Sequence, residues 1–260
     1  MDVTLLRSRA SLERLSPVMT DLVFALDSRG ARVTHVHPEE LEARSQPLRR
    51  TDVCVLKAKT TDALRLGRRY HEAGIPTISP YPVTALCRDK LATNLVLEAS
   101  GLPVPACVSV TQPDDVLRFL AEGPVILKPV RGSRGRGIRV VRGADDVPED
   151  LGEEETLAQR YVAPDGLDRK IYRIGEEVFC VVRVWPPVTL QDKYGRLMPL
   201  DPATEEIARA CGDVLGTDVY GVDIVEHEGR PWVVDLSSFP GFKGVPDAGV
   251  RLAERIMAAA

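Results

Sequence analysis

Length, composition and charge describe an ordinary globular protein and exclude several classes of function. The chain has 260 residues, of which 44% are hydrophobic and 28% charged, and its formal net charge is −4. A chain of this length can bury a large core, in one domain or in two or three smaller ones. The net charge provides no basic surface for nucleic acid, and no apolar run reaches the ~20 residues that a membrane helix needs.

The cysteines and the first residues predict a cytoplasmic protein. The five cysteines are far apart and form no CxxC pair. This spacing indicates reduced, mostly buried thiols and argues against a zinc site or a disulfide framework. The first apolar run ends at Leu6 and is followed at once by Arg7 and Arg9, which does not fit a signal peptide.

The first 80 residues alternate between strand patterns and helix patterns. Strands are predicted over residues 3–6, 31–36, 52–56 and 75–79, and helices over 17–29 and 62–73. This alternation predicts a small parallel α/β unit. No glycine-rich turn follows its first strand, so no nucleotide is assigned to this unit.

After Pro80-Tyr81-Pro82 the pattern becomes a mixture of helices and hairpins. Helices are predicted over residues 83–100, 113–121, 144–151, 202–215 and 246–259. Strands are predicted over residues 106–110, 125–129, 138–141, 156–162, 168–174, 178–184, 220–226 and 232–236. Residues 185–200, rich in proline and polar side chains, predict an irregular loop.

A glycine-rich loop between two apolar runs gives the strongest local signal. It lies in VILKPVRGSRGRGIRVV, residues 125–141, where Lys128 is the only lysine. Its backbone N–H groups and cationic side chains suit a phosphate. No Lys-Ser/Thr pair is present and a strand, not a helix, follows the glycines, which excludes a Walker loop and a dinucleotide fingerprint. The pattern predicts a hairpin lid over a nucleotide, and the alternative is a basic hairpin without a ligand.

Two aspartates, Asp223 and Asp235, stand inside apolar strands near the end of the chain. A carboxylate in such a strand is costly unless it is paired or bound to a cation. Ser237 lies on the same face as Asp235, and oxygen ligands of this kind suit Mg²⁺. The alternative, in which both aspartates form ion pairs with lysine or arginine, stays open.

The predicted hairpin places these two aspartates opposite one another. Because Pro231 cannot donate to a strand ladder, the loop is predicted over residues 227–231. Glu226 then lies opposite Trp232, and counting back along both strands brings Asp223 opposite Asp235. Two carboxylates at that distance repel one another unless a metal ion lies between them.

The order of these features resembles the ATP-grasp superfamily and, within it, the RimK-type carboxylate–amine ligases. The shared features are Lys90, the LKP of Lys128, the glycine loop, LAQRYV, Asp168-Arg169-Lys170, Arg183, Asp223 and DLSSFPG. The FPGFKGV segment also resembles the inositol polyphosphate kinase branch. The resemblance covers about residues 83–260, and the first 80 match only a general small α/β domain.

This resemblance implies an ATP-grasp fold of the α/β (α+β) class in three parts. They are an N-terminal pre-ATP-grasp α/β domain over residues 1–82, a small subdomain with the glycine-rich lid over 83–158, and a C-terminal subdomain with the Mg²⁺ site over 159–260.

It also implies roles for the matching residues. Those that would bind ATP, through its phosphates, adenine or ribose, are Lys90, Lys128, Gly132, Ser133, Gly135, Gly137, Gln159, Tyr161, Val162 and Asp168. Lys170 and Arg183 would act on the transferred phosphoryl group and the acceptor. Asp223, Asp235 and Ser237 would hold one or two Mg²⁺ (or Mn²⁺) ions.

Two positions depart from the family's pattern. The family usually has asparagine where this chain has Ser237 and commonly glutamate at Asp235, which puts a second metal ion in doubt. The hinge strand often carries an acidic residue where this chain has Arg160. Simpler roles also stay open: Lys90 as a surface lysine, and Lys170 and Arg183 in cross-strand pairs with Glu176 or Glu177.

The function implied is an ATP- and Mg²⁺-dependent ligase. It would join a small-molecule or peptide carboxylate to an amine through an acyl phosphate, releasing ADP and phosphate. A small-molecule kinase on the same fold is the first alternative. A nucleotide-binding regulator without turnover, suggested by Ser237, is the second. No membrane or nucleic-acid partner is expected, and homo-oligomer formation is left open.

Overall fold

The computed structural model describes residues 1–8, 16–40, 47–132, 135–184, 189 and 195–260. Its strands form one parallel and two antiparallel sheets. No helix in these ranges is long and apolar enough to cross a membrane. All five cysteines are free, and four of them are buried, as the spacing predicted.

The N-terminal unit is the predicted parallel α/β unit. Its strands are β1 (Asp2–Leu6), β2 (Arg32–Val36), β3 (Val53–Leu56) and β4 (Thr77–Ile78), and its helices are α1 (Pro17–Ser28) and α2 (Thr61–Glu72). The sheet order is β2-β1-β3-β4, with all pairs parallel. Pro17 starts α1, but the Ser16 side chain makes no capping bond, whereas the Thr60 hydroxyl caps α2 by accepting from the Ala63 N–H.

The helix predicted over residues 83–100 is two helices, so that prediction is wrong. They are α3 (Tyr81–Leu86) and α4 (Lys90–Ala99). The break occurs because the Asp89 carboxylate accepts a hydrogen bond from the Ala92 N–H and caps a new helix. Lys90 consequently occupies the first turn of α4.

The lid lies in a four-stranded antiparallel sheet of order β5-β8-β6-β7. Its elements are β5 (Cys107–Val110), α5 (Pro113–Leu120), β6 (Val125–Pro129), β7 (Arg139–Val141) and β8 (Thr156–Arg160). The β6–β7 pairing confirms the predicted strand–loop–strand hairpin. Two predictions need correction: β8 ends at Arg160 instead of residue 162, and the acidic helix over 144–151 is only a 3₁₀ turn, Ala144–Asp146.

The second antiparallel sheet has five strands, in the order β11-β10-β9-β12-β13. Its elements are β9 (Leu167–Ile174), β10 (Glu177–Val184), β11 (Arg196–Met198), α6 (Pro202–Leu215), β12 (Val219–His227), β13 (Arg230–Ser237) and α7 (Ala248–Met257). The predicted loop over residues 185–200 thus contains a strand, β11. Residues 185–188 and 190–194 lie outside the described ranges.

The β12–β13 hairpin places Asp223 opposite Asp235, as predicted, but by a different route. The loop is the two-residue turn Glu228-Gly229, both with positive φ, and Pro231 is paired with Glu226. The edge position of β13 tolerates this proline. An irregularity between Asp223 and Ile224 leaves Val234 as one extra residue, which brings the two aspartates back into register.

The N-terminal unit and the five-stranded sheet share one hydrophobic core. Residues of β1, α1 and β3 belong to the same buried cluster as Tyr172, Phe242 and Leu252. The lid sheet has its own smaller cluster, which includes Val116, Leu127 and Val141. The N-terminal unit and the five-stranded sheet are therefore joined through packing, and the lid sheet is packed separately.

Gly249 of α7 lies at the contact with α1, and its substitution tests how closely the two helices pack. A Cβ at this position would lie 2.6 Å from Asp21 Cβ and 2.6 Å from the Leu22 nitrogen. We expect Gly249→Ala to lower the free energy of unfolding by about 1–3 kcal/mol, because a close helix contact is overpacked. Urea denaturation measures the change. Gly143→Ala, where an added Cβ meets nothing within 4 Å, is the matched control, and equal stability of both variants would contradict this packing.

Candidate active site

A row of charged side chains crosses three strands of the five-stranded sheet on one face. Lys170 of β9 lies opposite Asp223 of β12, which lies opposite Asp235 of β13. Lys170 Nζ is 2.5 Å from Asp223 Oδ2, and Lys90 Nζ, from α4, is 2.7 Å from Asp235 Oδ1. The predicted alternative of ion pairs with lysine is therefore present in the structure, at the predicted metal site. Lys90 is not a surface lysine.

The charges in this row act on one another. Burial and repulsion from Asp235 and Asp168 raise the pKa of Asp223, although Lys170 opposes them. Burial alone would raise the pKa of Asp235, but Lys90 and Lys128 hold it below its usual value. Ionisation of both carboxylates therefore depends on the cations beside them.

Lys128 is buried in a hydrogen-bonded network between the two antiparallel sheets. Its ammonium donates to Gln159 Oε1 at 2.8 Å and to the Val234 carbonyl at 3.0 Å. Gln159 Nε2 in turn donates to Asn94 Oδ1 at 3.2 Å. Burial lowers the pKa of Lys128. Gln159, predicted to lie in the strand whose backbone binds adenine, contacts Lys128 through its side chain.

Two lysines of the N-terminal unit enter the site, and sequence reasoning missed both. Lys59 Nζ donates to Ser237 Oγ at 2.7 Å. Lys57 Nζ donates to the Phe239 and Pro240 carbonyls at 3.2 and 2.7 Å, and burial together with Lys59 lowers the pKa of Lys57 to about 7. Both follow the carboxyl end of the buried strand β3, which is a usual place for ligand-binding residues in α/β sheets. This position after a buried strand is the sequence feature that could have identified the two lysines.

Lys170 and Arg183 lie on the same face as the aspartates. Lys170 Nζ pairs with Asp223 and lies 3.8 Å from Asp168 Oδ2. Among the described ion pairs, neither Lys170 nor Arg183 pairs with Glu176 or Glu177, and Glu177 pairs with Arg251. Arg183 lies opposite Asp168 and donates to Tyr172 Oη at 3.2 Å. Its buried Nε finds no acceptor in the described part of the chain.

The lid loop continues from the β6 strand that carries Lys128. Gly135 and Gly137 have positive φ, and Gly132 precedes them. Ser133, predicted to bind phosphate, lies outside the described ranges. The root of the loop is fixed to the region of α3 and α4, because Arg88 donates to the Arg131 carbonyl at 2.8 Å and the Lys90 N–H to the Val130 carbonyl at 3.2 Å.

The predicted hinge strand, residues 159–162, overlaps the last two residues of β8. The Tyr161 N–H donates to the Pro124 carbonyl at 2.9 Å, so this donor is engaged within the protein. Val162 lies beyond the strand. Arg160, where the family often has an acidic residue, turns toward the end of α5, stacks on Phe119 at 3.7 Å and pairs with Glu122 at 2.6 Å.

We expect Arg160→Ala to change stability but not nucleotide binding. Loss of the stacking on Phe119 and of the bonds to the end of α5 should lower the free energy of unfolding by about 1–2 kcal/mol. ATP affinity should stay within about twofold, since the arginine points away from the cleft. Denaturation and calorimetric titration check the two parts, and a tenfold loss of ATP affinity would contradict this orientation.

A further cleft of about 680 Å³ lies between β4 and the region of α6 and α7. It is lined by charged residues that are already paired, Arg173 with Asp213 and Arg255 with Asp218. It therefore lacks the excess of cations found around Asp235.

Two antiparallel sheets with a glycine lid on one, opposed aspartates on the other and buried lysines between them define an ATP-grasp enzyme. Residues 87–260 match the RimK-like ATP-grasp domain. The chain belongs to this RimK-like ATP-grasp family.

Known relatives and solved structures agree with this assignment. A probable alpha-L-glutamate ligase of Azotobacter vinelandii is 24% identical over 80% of this chain and 75% of its own. The glutamate–LysW ligase ArgX of Sulfurisphaera tokodaii is 27% identical over 77% of this chain and 78% of its own. The fold is similar to a RimK domain ATP-grasp protein of Sphaerobacter thermophilus, with a TM-score of 0.78, 20% identity and coverage of 99% and 100% of the two chains.

The chain is therefore an ATP-grasp ligase that forms carbon–nitrogen bonds, and this confirms the predicted enzyme class. The ligase prediction is favoured over the kinase alternative by the named relatives. Enzymes of the family use ATP and a divalent metal ion.

Proposed function

We propose that the chain joins L-glutamate, through its amino group, to the carboxylate of a small molecule or peptide. ATP is the second substrate, and Mg²⁺ or Mn²⁺ is the metal ion. The supporting observation is the Arg183 guanidinium, whose buried Nε lacks an acceptor in the described part of the chain. A buried unpaired donor is costly, and an anionic substrate would satisfy it. Glutamate is the amino acid in the names of both relatives.

The charge balance of the cleft also favours anionic ligands. Lys57 is left out of the balance, because its amine is bound to two carbonyls and its pKa is lowered to about 7. The other basic side chains of the cleft are Lys59, Lys90, Lys128, Lys170 and Arg183, and its three carboxylates are Asp168, Asp223 and Asp235. Five basic side chains and three carboxylates leave two more basic groups than acidic groups in the cleft. ATP and an acidic substrate supply the opposite charge.

The donor set fits a metal ion that arrives with the nucleotide. Asp223 and Asp235 offer facing carboxylate oxygens, and the described residues contain no group of three or more His, Cys, Asp or Glu side chains that could hold a metal ion. Mg²⁺ is commonly held by one or two carboxylates, with phosphates and water completing its shell. When bound, the ion neutralises phosphate charge and polarises the phosphorus–oxygen bond.

The remaining predicted residues have complementary roles in this proposal. Lys90 and Lys128 leave their present partners for the α- and β-phosphates, and Gly132, Ser133, Gly135 and Gly137 cover the phosphates. Val162 supplies the main-chain contact to adenine, because the Tyr161 N–H is engaged. The Tyr161 ring packs against adenine, and Asp168 accepts from the ribose.

The reaction proceeds in two transfers. A carboxylate oxygen of the acceptor attacks the γ-phosphorus while the bond to the β-phosphate oxygen breaks, which gives an acyl phosphate and ADP. The neutral glutamate nitrogen then attacks the acyl carbon, the bond to phosphate breaks, and one proton is released. Lys170 and Arg183 stabilise the negative charge on the moving phosphoryl group, and the closed lid excludes water.

The test is a coupled assay of ADP and phosphate release with L-glutamate and a panel of small carboxylates and glutamate-ending peptides. We expect phosphate in step with ADP and a product heavier by one glutamyl residue. Hydroxylamine in place of glutamate should give a hydroxamate from the acyl phosphate. Retention of phosphate on the product, or equal rates with L-glutamine, would contradict the proposal.

We also propose that the protein is located in the cytoplasm. The free cysteines fit the cytoplasm, where thiols stay reduced. The sequence leaves homo-oligomer formation open, and light scattering of the purified chain measures it.

A further inference from the structure

Lys59 carries a cation from the N-terminal unit into the active site. It follows β3, and its ammonium reaches Ser237 at the end of β13, 178 residues further along the chain. The segment around it is fixed on both sides. Lys57 is held on two carbonyls of the segment after β13, and Thr60 caps α2. The backbone at Lys59 is therefore anchored on both sides, and the contact with Ser237 places its ammonium.

Among the residues that the structure describes, none forms an ion pair with Lys59. In the ranges that the structure describes, its ammonium bonds to a neutral hydroxyl, whereas Lys90 and Lys170 each bond to a carboxylate. Asp235 is near enough to raise the pKa of Lys59, although burial has the larger, opposite effect. A half-buried ammonium on a neutral partner is suited to an additional anionic ligand.

The same contact bears on Ser237. A metal ion on the Ser237 oxygen would lie beside the Lys59 ammonium, which is 2.7 Å from that oxygen. Two cations so close repel strongly in a cleft with a low effective dielectric. Asp223 and Asp235 also contact lysines, but their negative charge offsets the repulsion between a metal ion and an ammonium, which the neutral Ser237 hydroxyl cannot do. The hydroxyl is thus better suited to hold Lys59 than to bind a metal ion.

We propose that Lys59 is a catalytic residue that contacts the transferred phosphoryl group, and that Ser237 anchors it instead of binding metal. The nucleotide complex then holds one metal ion, on Asp223 and Asp235. The Lys59 ammonium donates to a γ-phosphoryl oxygen while the bond to ADP breaks and the bond to the acceptor carboxylate forms. This inference rests on the proposed ATP-dependent function.

The first test counts metal ions. Mn²⁺ binding that depends on a non-hydrolysable ATP analogue is measured by electron paramagnetic resonance. We expect one Mn²⁺ per chain in the wild type and two in the double variant Lys59→Ala, Ser237→Asn. Two ions in the wild type, or one in both proteins, would overturn the inference. No analogue-dependent Mn²⁺ in the wild type would instead contradict the proposed function, so the two failures are distinguishable.

The second test separates catalysis from a structural role. Lys59→Met should lower kcat about a hundred-fold, leave KM for glutamate within about threefold and retain a cooperative thermal transition. Lys59→Arg should recover part of the loss. Arg68→Met removes an exposed cation of the same unit, paired with Glu72, and should leave kcat unchanged. A Lys59→Met variant with wild-type kcat and lowered stability would show a purely structural contact and overturn the inference.

Discussion

Asp235→Asn should lower kcat at least about a thousand-fold and remove the dependence of ATP affinity on the metal ion. A thousand-fold loss corresponds to about 4 kcal/mol of transition-state stabilisation, the order expected when a catalytic metal ion is lost. Asparagine keeps the shape of the side chain but not its charge, so Lys90 and Lys128 lose the carboxylate that both interact with.

Calorimetric titration with ATP, with and without MgCl₂, measures this effect. The wild type should bind ATP more tightly with MgCl₂, and the variant should bind equally in both conditions. Asp213→Asn is a suitable control, because it removes a carboxylate paired with Arg173 away from the active site. Persistence of magnesium-dependent affinity in Asp235→Asn would show that the metal ion is held elsewhere.

Lys128→Met should weaken ATP binding about 10- to 100-fold. Methionine has a similar length but cannot donate to a phosphate, and charge-assisted hydrogen bonds contribute about 1.5–3 kcal/mol. The substitution also removes the donor to Gln159 and to the Val234 carbonyl, so near-ultraviolet circular dichroism must show that the core is retained.

The matched control for Lys128→Met is Arg139→Met. Arg139 is an exposed cation on the neighbouring strand of the same hairpin, so its loss should leave ATP affinity within about twofold. If the two variants bind ATP with equal affinity, the buried ammonium is not a phosphate ligand and the assignment of the lid hairpin is wrong.

Local patterns predicted much of the fold because they depend on neighbours in sequence. The parallel unit, the lid hairpin and the opposition of Asp223 and Asp235 all followed from strand periodicity and turn residues. The aspartate register was right although its derivation was not. The assumed long loop and the omitted bulge at Val234 each shift the pairing by one residue, and the two errors offset each other.

The remaining parts depend on contacts that no local pattern contains. Lys59 meets Ser237 because the N-terminal unit packs on the five-stranded sheet through a shared core, which the sequence does not reveal. Lys90 faces Asp235 because Asp89 starts a new helix, whereas helical periodicity continues through this position. Single side-chain hydrogen bonds of this kind determine where a lysine points, but they leave no trace in the periodic pattern of apolar residues along the sequence.

The separate core of the lid sheet has a consequence for how such an enzyme can diversify. The cations proposed to act on the transferred phosphoryl group, Lys59, Lys170 and Arg183, come from the N-terminal unit and the five-stranded sheet, which share one core. The glycine lid belongs to a sheet with its own small cluster. Mutations that reshape substrate recognition in the shared core therefore leave the lid's packing intact. Related enzymes can therefore change substrate specificity one mutation at a time while they keep the same ATP-binding lid.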